Sequence, residues 1–174
     1  VYVTSPDYLG NMADVSALAE ACHAHQTPLL VDNAHGAYLR FLSPSLHPLD
    51  LGADLCCDSA HKTLPVLTGG AYLHVGKAAP AAFREKARSA LSLFGSTSPS
   101  YLTLASLDLC NRFLAEEGPE RIRAAAGRMA ALKQDLPQWG WSSVGTEPLK
   151  LTLDAAACGV SGFSAAENLR VDGS

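Results

Sequence analysis

Three short apolar runs, each closing on a polar side chain, most limit what this chain can fold into. They are Val1–Thr4 before Ser5, Leu29–Val31 before Asp32, and Leu55–Cys57, beyond which stands Ser59. A fourth run, Gly70–Val75, comes after them. Runs without polar alternation predict strands buried on both faces, as in mostly parallel α/β sheets. Val1–Thr4 is expected to be such a buried strand. Between the first two runs, Val15, Leu18, Ala19 and Cys22 recur at helical spacing, with Asp14 and Ser16 as candidate caps. Strand, helix, strand in this order predicts an α/β fold. Ligands of such sheets bind beyond the carboxyl ends of the strands, where Ser5, Asp32 and Ser59 stand.

The second half reads as helical. Patterns cover 80–93, 99–116 (opened by Ser98-Pro99) and 119–136, and the Arg and Lys residues of the last suit a solvated face. Pro137 to Gly140 breaks the pattern, Lys150–Leu153 predicts a strand, and 162–170 a short helix. We divide the chain into residues 1–140 and 141–174. Hydrophobic residues make up 48% of the 174, which excludes disorder, and a net charge of -4 offers no basic field for nucleic acid. No apolar run approaches the roughly 18 residues that span a bilayer. The five cysteines are scattered and odd in number, which predicts small buried thiols in a cytoplasmic protein. Neither they nor His23, His25, His47 and His74 form a metal-binding pattern, so no metal is expected.

Chemistry concentrates in Val31-Asp32-Asn33-Ala34-His35-Gly36-Ala37-Tyr38 and, starting 27 residues later, Asp58-Ser59-Ala60-His61-Lys62-Thr63-Leu64-Pro65. The interval allows one loop and one strand, so two adjacent strand ends can face one pocket. A lysine beside Ser and His at a strand end suits a Schiff-base amine, activated by burial and neighbouring cations. A buried carboxylate needs a partner, and the protonated ring nitrogen of pyridoxal 5′-phosphate (PLP) would supply one. Simpler roles compete. Lys62 could be a surface lysine, Asp32 a loop carboxylate and His35 a core histidine, while Ser5, Thr97 and Ser98 could serve turns or caps.

Asp-x-Ala-His-Gly-Ala, then Ser-x-His-Lys-Thr-Leu-Pro, then Ser96-Thr97-Ser98-Pro99-Ser100-Tyr101 with Ala105-Ser106-Leu107-Asp108, resembles the ornithine/lysine/arginine decarboxylases in the same order. Thr4-Ser5-Pro6 with Gly10 resembles that family's turn beneath the cofactor, and Pro148–Thr152 the opening of its small domain. The resemblance implies a fold-type-I PLP enzyme, an α/β protein with a mostly parallel sheet. Residues 1–140 would be the C-terminal part of the large domain and 141–174 the start of a small α+β domain. It implies that Lys62 carries PLP, Asp32 holds the pyridine nitrogen, and Ser59 and His61 lie by the phosphate. His35 and Ser5 would lie near the ring's phenolic oxygen or the substrate, and His61 or Lys62 would return the proton. Thr97 and Ser98 would reach a neighbouring subunit's cofactor, implying a homodimer or higher homo-oligomer.

The implied reaction is decarboxylation of a basic amino acid to its amine, as in polyamine metabolism. An aminotransferase or lyase of the same fold, or an inactive fragment, stay as alternatives. Three positions depart from the family pattern. Asn33 replaces an acidic residue, Ala60 a hydroxyl residue and Asp58 a neutral one. Asp58 would repel phosphate unless it points to the other face. The resemblance further implies that parts of both domains lie outside these residues, so the chain alone is expected to be inactive.

Overall fold

The computed structural model describes residues 1–173. One sheet orders β1 (Tyr2–Thr4), β2 (Leu30–Asp32), β3 (Leu55–Asp58) and β4 (Tyr72–Val75) side by side. The first three strands are parallel, with Val3 opposite Val31 and Val31 opposite Cys56. β4 turns back antiparallel and sets His74 opposite Cys56. Parallel neighbours need a crossover. Between β1 and β2 it is α1 (Val15–Ala24), capped by Asp14, whose Oδ1 accepts from the Ala17 N–H at 3.0 Å.

Side chains alternate across a strand, so Val3, Val31 and Cys56 share one face. They pack there with Val15, Ala19 and Cys22 of α1 and with Leu29 and Ala53. The other face differs from expectation. Tyr2 is 66% exposed, and Leu30, Leu55, Cys57 and Leu73 are only half-buried. Among the described residues the sheet is thus well covered on one face. Among the described residues β1 has a strand neighbour on one side, β2.

Asp58 ends β3 on the covered face and is 3% exposed. Its Oδ2 accepts from His47 Nε2 at 3.1 Å and His74 Nε2 at 3.0 Å, and its Oδ1 from Asn33 Nδ2 at 2.7 Å. His47 Nδ1 accepts from the Leu49 N–H at 3.3 Å, which places that ring's proton on Nε2. Burial alone would raise the Asp58 pKa, but the hydrogen bonds from His47 and His74 hold it well below the usual carboxylate range. Buried Asp54 is served similarly, by the Leu29 N–H at 2.8 Å and His23 Nε2 at 2.9 Å. Three of the histidines expected to stand alone therefore each pair with an aspartate. Their partners lie 11, 16 and 31 residues away, so only the folded chain reveals them. Of the cysteines, Cys22, Cys56 and Cys110 are buried as expected, whereas Cys57 and Cys158 are half-buried.

Beyond the sheet run α3 (Ala81–Phe94), α4 (Tyr101–Glu116) and α5 (Gly118–Asp135), close to their predicted spans. The chain forms two compact units, one of Val1–Asp7 and Ala13–Arg123, the other of Tyr8–Met12 and residues from Ala124 onward. In the second unit the Gly10 carbonyl accepts from the N–H groups of both Thr146 and Glu147, and Lys150 Nζ donates to the Tyr8 carbonyl. The strand predicted at 150–153 is short. It is β6 (Thr152–Leu153), paired antiparallel with β5 (Ser143–Val144), which the pattern did not predict. The last element is α6 (Gly162–Gly173). No helix of the described residues is long and apolar enough to cross a membrane.

Asp58→Ala would leave Asn33 and two imidazoles without their acceptor, at an expected cost of about 3–5 kcal/mol. Because folding lowers the Asp58 pKa, its contribution is present above the unfolded value near ~3.9 and is lost as pH falls below it. Denaturant unfolding from about pH 5 to pH 2 should show wild-type stability falling over this window. Asp58→Ala should start lower and fall less.

Candidate active site

The parallel register lines up Thr4, Asp32 and Cys57 across three strand ends. They lie on the face opposite Asp58, because Cys57 and Asp58 are consecutive in β3. Asp32 Oδ1 accepts from the Ala34 N–H at 3.0 Å, with the Cys57 thiol 3.8 Å away. Asp32 Oδ2 accepts from the Tyr2 hydroxyl at 3.3 Å. Burial, and then the Asp32 charge, push the Tyr2 phenol and the Cys57 thiol up in pKa, so both stay protonated beside the carboxylate. Sequence reasoning missed Tyr2 and Cys57. Their signal was the register itself, which needs the strand pairing.

The Asp32–Ala34 bond turns the chain, and the Gly36 N–H closes on the Asn33 carbonyl at 2.9 Å. A 3₁₀ turn over Ala37–Phe41, with Ala37, Tyr38 and Leu39 buried, anchors the far side of this loop. Between the two turns His35 Nε2 comes within 3.5 Å of Lys62 Nζ. Lys62 lies in α2 (Ala60–Thr63), a single turn directly after Ser59, and the Lys62 N–H donates to the Ser59 carbonyl at 3.0 Å. The lysine is exposed, contrary to the burial expected of an activated amine. α2 stands past the strand ends, and Ala60 is its buried residue.

His61 Nδ1 lies 3.0 Å from the Gly70 carbonyl, which only accepts. Nδ1 therefore carries the proton, and in the neutral ring Nε2 is the acceptor. Ser59 is half-buried and makes no side-chain capping bond to α2. Ser5 is buried; its N–H donates to the Asp32 carbonyl at 3.0 Å and its Oγ accepts from the Ala13 N–H at 3.0 Å. Ser5 thus serves the turn directly beside Asp32. Thr97 and Ser98 lie in the exposed connection between α3 and α4, where the Ser98 N–H donates to Ser96 Oγ. No hydrogen bond among the described residues ties these two to the Asp32–Lys62 group.

Residues 1–151 match the family described as Orn/Lys/Arg decarboxylase, major domain. This chain belongs to that family. It is 34% identical over 163 residues to the uncharacterised protein YaaO of Bacillus subtilis, covering 87% of this chain and 33% of that one. To the arginine decarboxylase of the same organism it is 31% identical, covering 97% and 36%. To that of Halalkalibacterium halodurans it is 36% identical, covering 69% and 24%. The chain thus spans about a third or less of the length of these curated relatives. Among solved structures, it is similar to the SepCysS–SepCysE N-terminal domain complex, with a TM-score of 0.63 at 14% identity, covering 86% of this chain and 40% of that one. It also resembles a methionine gamma lyase of Micromonospora echinospora, with a TM-score of 0.52 at 22% identity, covering 79% and 34%. The fold is accordingly the α/β fold type I of PLP-dependent enzymes, with a mostly parallel sheet.

Two departures from the family pattern now make one. Asn33 and Asp58, both named above as departures from the pattern the chain resembles, have their side chains hydrogen-bonded at 2.7 Å. Asp58 also points away from the Asp32 face, which removes the expected repulsion of a phosphate.

The donor set on the Asp32 face fits PLP. It offers a carboxylate with its own hydrogen-bond donors, a primary amine, and an imidazole within reach of that amine. Gly36 holds the turn between them. A Cβ there would lie 2.1 Å from Asn33 Oδ1 and 2.5 Å from Leu39 Cδ1. Gly36→Ala should therefore lose about 1–3 kcal/mol of stability in denaturant titrations, since the neighbours are packed side chains.

Proposed function

We propose that the full-length parent of this chain decarboxylates a basic amino acid, using PLP held by Lys62 and Asp32. The observation that carries this reading is the approach of His35, three residues beyond Asp32, to Lys62 Nζ at 3.5 Å. It joins the two motifs at one set of strand ends, in a chain of the decarboxylase family. Bound PLP supplies an electron sink for the pair released when the Cα–carboxylate bond breaks.

The chain's own residues do the rest. Lys62 provides the amine that holds the cofactor covalently. Asp32, oriented by the Ala34 N–H and the Tyr2 hydroxyl, would hold a proton on the pyridine nitrogen. His35 stands beside Lys62 Nζ and orients it, close to where the ring's phenolic oxygen or the substrate would lie. Lys62 Nζ or His61 returns a proton to Cα; for His61 that proton would leave from Nε2 of the doubly protonated ring, since Nδ1–H is held by the Gly70 carbonyl. Ser59 and His61 would lie by the phosphate, and Ser5 holds the turn beside Asp32. Thr97 and Ser98, exposed here, would reach the cofactor of a second copy in a homodimer. Relatives named arginine decarboxylase put arginine first among ornithine, lysine and arginine as substrate. The product amine would feed reactions that build polyamines in the cytoplasm.

Borohydride reduction of the PLP-loaded protein, followed by peptide mapping, should place the pyridoxyl group on Lys62. A label on Lys77 or Lys86 instead would remove the assignment. Asp32→Asn should keep most of the bound cofactor and lose about a hundredfold in turnover, the order of about 3 kcal/mol typical of a lost transition-state charge contact. Amine release from the three amino acids measures it, and unchanged turnover would exclude Asp32 as the pyridine partner.

A further inference from the structure

The cluster around Asp58 takes no part in the chemistry above and lies on the opposite face of the sheet. We propose that His47 Nε2, Asp58 Oδ2 and His74 Nε2 form a site for a divalent metal ion of the zinc class, with a fourth coordination position open to a cavity. The three donor atoms lie within 4.8 Å of one another. The two imidazole nitrogens stand 3.1 and 3.0 Å from the same carboxylate oxygen. Ligand atoms at zinc bond lengths of about 2.0–2.1 Å and near-tetrahedral angles are about 3.3 Å apart, so the two nitrogen–oxygen pairs need to open by only a few tenths of an ångström, while the two nitrogens, within 4.8 Å of each other, form the wider side of the site. The imidazole rings meet edge to face, with centroids 5.6 Å apart and an interplanar angle of 88°, which lets both aim Nε2 at one point without stacking.

Two further features favour a metal over a purely proton-filled network. Asn33 Nδ2 holds Oδ1 at 2.7 Å, the arrangement of an outer residue orienting a ligating carboxylate while Oδ2 faces both imidazoles. All three ligands also line a cavity of about 700 Å³, whose wall includes Tyr72 and Asn111, so an exchangeable position has room for water or a small donor. His74, with its side chain 35% exposed, gives the ion a way in.

Two imidazoles and one carboxylate select zinc and its first-row neighbours over magnesium or calcium, which prefer oxygen. Binding moves the His74 proton to Nδ1 and requires His47 to give up its 3.3 Å contact with the Leu49 N–H, a long bond to lose. Cys56 Sγ lies 3.6 Å from both His47 Nε2 and Asp58 Oδ1, beside the three-ligand group and not in it.

The test is a Co2+ titration of chelator-treated protein, followed by visible absorption, with Zn2+ as competitor. One equivalent of Co2+ should bind with a visible band and be displaced by Zn2+. His74→Gln, at a half-exposed position, should weaken binding about tenfold or more while circular dichroism stays unchanged, and Asp58→Asn should do the same where it folds. Exposed His25→Ala and Lys62→Ala should both bind as wild type, which separates this site from the cofactor reading. Absence of stoichiometric binding, or full binding by His74→Gln, would overturn the site and leave a hydrogen-bonded network alone.

Discussion

The interaction on which this unit most depends is the buried carboxylate of Asp58 and its three donors. A carboxylate removed from water must be bonded at nearly every lone pair. Here the donors come from the end of β2, from the loop before β3 and from β4. Satisfying one charge therefore fixes three segments. Those segments include both motifs on which the chemistry relies, because Asn33 follows Asp32 and Asp58 precedes Ser59 and Lys62 by only a few residues.

The sheet divides its labour by face. On one, α1 packs on Val31 and Cys56, and the Asp58 network lies beside them. On the other, Asp32 meets Tyr2 and Cys57, and the surface is half open. Alternation along a strand lets neighbouring residues, Cys57 and Asp58, serve a candidate catalytic site and a core network at once. An acid at position 33 would face the Asp58 carboxylate in a buried place, so the neutral amide at Asn33 suits the carboxylate it donates to.

The sequence by itself determined the α/β class, the helices after the sheet and the strand ends at Ser5, Asp32 and Ser59. Apolar runs and helical spacing are local patterns imposed by burial, and the motifs around Asp32 and Lys62 lie within a few residues each. Only the tertiary structure decided which side chains share a charge. His47 and His74 reach Asp58, His23 reaches Asp54, and Tyr2 reaches Asp32 across 11 to 31 residues of chain. It also left Lys62 exposed, against expectation. The reason is physical. Hydrophobic periodicity reports whether a residue turns toward a core, whereas pairing, register and exposure depend on which strands lie adjacent and what covers them, and no local pattern carries that.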